Sequence, residues 1–138
     1  MARLLRKLVF HHSASGPKLT PAQIVKMHVA KKWDGPGYHC IIDRTGRRYF
    51  GEHEPGRGLS QRGAHAGKKG NTNSVGVCLI GWNNHPKKKS WGWTNSQIVS
   101  AQEYLDAWRI IVPDMEFFGH RDFKATLCPG LEIRDILK

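Results

Sequence analysis

Acidic side chains are scarce in this sequence: 11 Asp and Glu stand against 22 Lys and Arg, for a formal charge of +11. That balance excludes a polycationic partner and points to an anionic one, whether nucleic acid, an anionic envelope or an acidic polymer. Cysteine is sparse as well. Three residues, Cys40, Cys78 and Cys128, cannot all pair, and the first two lie inside apolar runs, so a disulfide framework is excluded and a reducing compartment is expected. No apolar run approaches the ~20 residues that a membrane helix needs, and there are no internal repeats. The basic opening is broken by Arg6 and Lys7, lacks a small-residue cleavage site, and reads as a strand of the mature fold rather than a secretion signal. The 138 residues are expected to form one domain over 1–138.

Strand and helix signals alternate along the chain. Leu8-Val9-Phe10 is a short buried strand leading into His11 and His12. Thr20-Pro21-Ala22-Gln23 has the form of a capping box with proline at the first helical position, and Ile24, Met27, His28 and Lys31 then share one face before Trp33 and the breaker Asp34-Gly35-Pro36-Gly37. Tyr38 to Asp43 and Arg48 to Gly51 read as a hairpin, followed by a long apolar-poor stretch to about Asn73. Ser74 to Gly81 is the most hydrophobic run and is expected to be a central strand buried on both faces. Asn83 to Gly92, with Lys87-Lys88-Lys89, is a solvated basic loop. Thr94 and Gln97 repeat the capping box ahead of a helix that buries Ile98, Ala101, Leu105 and Trp108. Met115 to Gly119 is a short strand and Leu131 to Lys138 a closing helix. The expected class is α/β, a single domain with a central mixed sheet flanked by helices.

Chemistry concentrates at His120 and Cys128, which flank a charged loop closed by Pro129 and Gly130. An imidazole and a thiolate brought together by a tight loop can supply two of the three protein ligands that a hydrolytic zinc keeps, leaving its fourth position for water. Free cysteine is often buried for packing alone, yet core cysteines seldom sit in such a loop. The third ligand is expected from His11 or His12. Successive strand side chains face opposite ways, so only one can look into the site, and the residues alone leave the choice open.

The residues in order resemble a known family. Phe10-His11-His12-Ser13-Ala14-Ser15, the pair His28 and Trp33, Gly37-Tyr38-His39, Gly63-Ala64-His65-Ala66, Asn73-Ser74-Val75-Gly76-Val77, His120-Arg121-Asp122 and Thr126-Leu127-Cys128-Pro129-Gly130 are similar to the zinc-dependent N-acetylmuramoyl-L-alanine amidases of the phage-lysozyme and peptidoglycan-recognition-protein type. The resemblance implies a sheet flanked by helices, a groove for peptidoglycan, one zinc ion, and hydrolysis of the amide joining N-acetylmuramic acid to L-alanine. It also implies His11, His120 and Cys128 as zinc ligands, which selects His11 over His12. Tyr38 matches the tyrosine near the metal and is expected in catalysis and substrate contact; His65 and Asn73 are expected at substrate. Two residues before the cysteine, the phage-lysozyme branch resembles a catalytic lysine, whereas here the position holds Thr126, as in the recognition branch. Thr126 would either donate a weaker hydrogen bond to the developing oxyanion or hold the loop.

Other polar residues carry less. No general base is identified; Glu52 and Glu54 follow the hairpin without spacing that leads to zinc. His39 and His28 are expected to be structural, and His53 and His85 solvated. Lys68-Lys69 and Lys87-Lys88-Lys89 beside Trp91 and Trp93 allow a nucleic-acid surface. Attraction of a monomeric enzyme to an anionic cell envelope is the simpler account, and no nucleic acid is expected. The expected protein is a phage or prophage endolysin, made in the cytoplasm without a signal peptide and acting on the cell wall after release. The alternative is a muropeptide-binding recognition module that does not cut.

Overall fold

The computed structural model describes residues 4–30, 37–50, 59 and 62–138. Trp33, Glu52, His53 and Glu54 lie outside the described residues. The elements in chain order are β1 (Lys7–His12), α1 (Pro21–Ala30), β2 (Cys40–Ile42), β3 (Arg48–Phe50), α2 (Gly67–Asn71), β4 (Ser74–Leu79), α3 (Asn95–Ile111) and β5 (Glu116–Gly119).

The five strands form one mixed sheet in the order β3-β2-β4-β1-β5. β1 runs parallel to both β4 and β5, β2 runs parallel to β4, and β3 returns antiparallel to β2. The expected class, a mixed sheet flanked by helices, is the observed one. β1 and β4 lie at the centre, and every residue of β4 is buried, as its unbroken apolar run requires.

Alternation along the strands divides the core in two. Leu8 and Phe10 of β1 pack with Val75, Val77 and Leu79 of β4 against Ala101, Tyr104 and Leu105 of α3. On the opposite face Ile41 of β2 and Cys78 of β4 pack with Ile24 of α1. His11 follows Phe10 and is fully buried in register with Cys78. The face opposite α3 therefore carries the chemistry.

Both capping boxes form. The Thr20 hydroxyl accepts from the Gln23 N–H at 3.2 Å while the Gln23 side chain accepts from the Thr20 N–H at 2.9 Å, and Thr94 with Gln97 does the same for α3. Gln97 also spends its side-chain amide on the Ile42 and Ile80 carbonyls at 3.2 and 2.8 Å, fastening α3 across the ends of β2 and β4.

On the α1 face Ile24 and His28 are buried, while Met27, at the margin of the same stripe, is 50% exposed. Two expectations are corrected. The segment after Gly130 forms only a 3-10 turn over Ile133–Asp135 instead of a helix. So short a segment does not repay helix nucleation, and it is held by burial of Ile133 and Leu137 and by the Arg109 guanidinium bonding the Lys138 carbonyl at 2.8 Å. His85 is not merely solvated: its ring lies 4.9 Å from both Trp82 and Trp91, centroid to centroid, and it accepts from the Lys87 and Lys88 N–H groups. Lys87, Lys88 and Lys89 are exposed as expected, on a loop tethered by Arg44 to the carbonyls of Ser90, Trp91 and Gly92.

Candidate metal centre

Parallel strands bring their carboxyl ends to one edge of the sheet, where ligands of open α/β sheets generally sit. β1 ends there at His12, and β5 hands directly into a 3-10 turn over His120–Asp122. The loop from His120 to Cys128 is closed by a backbone bond from the Arg121 N–H to the Cys128 carbonyl at 2.9 Å, and its start is pinned by the Asp122 carboxylate, which accepts from the Gly119 N–H at 2.9 Å. Thr126 is half-buried and its hydroxyl accepts from the Cys128 N–H at 3.3 Å, which orients the cysteine.

This arrangement brings His11, His120 and Cys128 together, with one donor atom from each lying within 4.8 Å of the others. His11 Nδ1 faces Cys128 Sγ at 3.8 Å, and the His11 and His120 rings are 4.7 Å apart. His12 looks elsewhere: its Nδ1 accepts from the Asn83 N–H at 3.2 Å and its ring approaches Trp82.

The electrostatics suit a cation. Burial holds His11 well below the ordinary imidazole range, with His65, His120 and His12 adding to the effect, so it is a neutral lone-pair donor. His120 is lowered by burial and by the Lys124 charge, and its buried Nε2 has no hydrogen-bond partner among the described residues. Burial pushes the Cys128 thiol up to about 12, with the backbone at His12 and the Arg121 charge pulling the other way. A thiol in that setting releases its proton to solvent only where a strong local cation stabilises the thiolate. Two neutral imidazoles, one of them with an orphaned nitrogen, and one thiolate form a donor set that fits zinc and leaves the centre with net positive charge.

Tyr38 flanks the trio. Its ring tilts against His11 at 5.0 Å and His28 at 5.4 Å, and the side chain packs against the cluster of Ile24, Ile41, Cys78 and Ile80. Burial and the nearby thiols raise the Tyr38 hydroxyl well above the usual phenol range, so it stays a proton donor. A cavity of about 390 Å³ opens beside these rings, lined by His28, Tyr38, Ala64, His65, Gly67, Asn71, His120 and Lys124.

Other sequence-derived candidates are placed as follows. His65 borders the cavity but is only 8% exposed, and its Nδ1 meets His11 Nε2 at 2.9 Å. Asn73 is not brought to the cavity wall; it is exposed in a left-handed turn entering β4, at φ 55°. Asn71 takes the place at the wall, its carbonyl oxygen accepting from the His65 and Ala66 N–H groups at 2.8 Å. His39 is structural, with Nδ1 accepting from the Gly76 N–H at 2.9 Å. Sequence reasoning gave no part to Asn71, Ser74 or Cys78, and it did not let Lys124 stand for the lysine absent at position 126. For Cys78 the available signal was strand parity, which sets it beside His11.

Two buried neutral histidines make stability depend on pH. Burial and the nearby His120 lower His12 to about 4, and His11 shifts the same way. An unfolded chain takes up these protons near pH 6.5, so their stabilisation is complete above that pH and is lost as pH falls toward about 4. The urea midpoint of the metal-free protein is therefore expected to be lower at pH 5 than at pH 7.5; an unchanged midpoint would show that both imidazoles protonate without penalty.

Comparison with known proteins agrees with this architecture. The family model described as N-acetylmuramoyl-L-alanine amidase matches residues 2–131. A peptidoglycan-recognition protein of Drosophila melanogaster is 30% identical, across 100% of this chain and 77% of its own length. The endolysin of Enterobacteria phage T3 is 30% identical, across 90% of this chain and 80% of its own. Among solved structures, the endolysin N-acetylmuramoyl-L-alanine amidase LysCS from Clostridium intestinale superimposes with a TM-score of 0.81 at 25% identity, covering 97% of this chain and 82% of that one.

Proposed function

We propose that this chain, which belongs to the N-acetylmuramoyl-L-alanine amidase family, is a zinc-dependent peptidoglycan hydrolase of the endolysin type. Its reaction would be cleavage of the amide between N-acetylmuramic acid and L-alanine. The observation that carries the reading is the convergence of one donor atom each from His11, His120 and Cys128 within 4.8 Å, at the carboxyl edge of the sheet and beside an open cavity.

Zinc held by those residues supplies Lewis acidity toward the amide carbonyl and lowers the pKa of water toward neutrality. The remaining roles belong to the chain. Tyr38, neutral at working pH, offers a hydroxyl proton to the oxygen that gains charge as the amide is attacked. Lys124 borders the cavity near enough for its charge to bear on His120, and it supplies the positive charge that Thr126 cannot. Thr126 keeps the Cys128 backbone in place. The surplus of basic side chains concentrates the protein on an anionic envelope. No helix among the described residues is long and apolar enough to cross a membrane.

Digestion of purified peptidoglycan by the zinc-loaded protein, followed by mass spectrometry, tests this reading. New L-alanine amino termini that disappear on chelation are expected. New reducing sugar ends would mean a glycosidase, and saturable binding without products would mean a recognition module, a reading favoured by the likeness to the Drosophila protein.

A further inference from the structure

Neutral histidine can bind a metal through either ring nitrogen, and the nitrogen left over decides which. Around His11 that decision is built into a chain of contacts. His11 Nε2 meets His65 Nδ1 at 2.9 Å, His65 Nε2 meets Ser74 Oγ at 3.3 Å, and Ser74 Oγ donates to the Gly70 carbonyl at 2.5 Å. A carbonyl only accepts, so the single Ser74 proton is spent on it. Ser74 then receives the proton of His65 Nε2, which leaves His65 Nδ1 unprotonated. That nitrogen accepts the proton of His11 Nε2, and the lone pair of His11 is left on Nδ1, the atom that faces Cys128 Sγ at 3.8 Å. Each direction follows from the one before it along the chain.

We infer that His65 is a positioning residue, which by accepting the Nε2 proton of His11 fixes Nδ1 as the metal-binding nitrogen. The inference rests on the zinc reading above. The setting is made for this ring: a Cβ on Gly76 would come within 2.6 to 2.8 Å of it, and one on Gly63 would strike His65 Cδ2 and lie 2.8 Å from His39 Cε1. Asn71 holds the backbone on either side of the His65–Ala66 peptide. The glycines of Gly63-Ala64-His65 and Ser74-Val75-Gly76 thus serve one side chain. The choice of partner also has a consequence for charge. A metal-bound histidine usually donates to a carboxylate, a backbone carbonyl or water. A neutral imidazole orients His11 without adding a negative charge, so a dication with one thiolate keeps its positive surplus.

Zinc affinity, measured by competition with a chromophoric chelator, tests the inference in wild-type protein, His65→Phe and His65→Asn. Phenylalanine keeps the ring shape but accepts no proton, and a loss of about 10- to 100-fold is expected, the usual effect of removing a partner behind a ligand. Asparagine can set an oxygen where Nδ1 lies and is expected to recover most of that loss. Long-range 1H–15N spectra of the zinc-loaded wild type are expected to show His65 protonated on Nε2 and read the contact directly, whatever the variants do to folding. Wild-type affinity in His65→Phe, equal losses in both variants, or a His65 proton on Nδ1 would each overturn the inference. A wild-type protein that takes up no zinc would instead overturn the functional reading, and with it the role of His65.

Discussion

Cys128→Ser is expected to lose zinc and, with it, hydrolysis. The serine hydroxyl is a far poorer ligand than a thiolate and stays protonated beside the two imidazoles. The loss in zinc affinity should exceed the roughly 100-fold that removal of an outer partner costs, and cleavage of peptidoglycan should fall below about 1% of wild type. The fold should survive. Cys128 is half-buried, and its loop is closed by the bond from the Arg121 N–H to the Cys128 carbonyl, which the substitution leaves in place. Zinc content and product release, measured on the same preparation, check this. Stoichiometric zinc with intact cleavage would remove Cys128 from the centre.

Tyr38→Phe separates chemistry from metal binding. The substitution keeps the ring that tilts against His11 and His28 and removes only the hydroxyl. Zinc is expected to stay bound and the fold to persist, because the ring and its packing against Ile24, Ile41, Cys78 and Ile80 are kept. The rate constant for cleavage should drop by about 100- to 1,000-fold, the range for removing one donor to a developing oxyanion. A variant that cuts at the wild-type rate would make Tyr38 a packing residue. Because burial holds the hydroxyl neutral far above physiological pH, ionisation of Tyr38 should leave no alkaline limb in the pH–rate profile near neutrality.

The sheet was largely legible in the sequence because its strands are short apolar runs separated by glycine and proline, and both long helices open with a capping box whose partners sit three residues apart. Such signals are local. The closing turn was misread because Leu131 to Lys138 has helical spacing but too little length, and its conformation is set by what Ile133 and Leu137 touch. At the candidate site, residue type and motif order pointed to His11, His120 and Cys128, which the fold brings together. The contact between His65 and His11 was not legible. It depends on a gap left by Gly76 one strand away, and no local spacing encodes the empty space beside another strand.

The position of β1 between β4 and β5 has a consequence for biosynthesis. β1 gains its two neighbours only after residues 74–79 and then 116–119 have been made. Until then His11 has no scaffold, and most contacts that orient it span large sequence separations, which slows folding and couples it to translation of the whole sheet. A ribosome-bound fragment that ends before β5 would carry His11 and Tyr38 but neither His120 nor Cys128, so the candidate metal centre cannot assemble until the loop after β5 has been made.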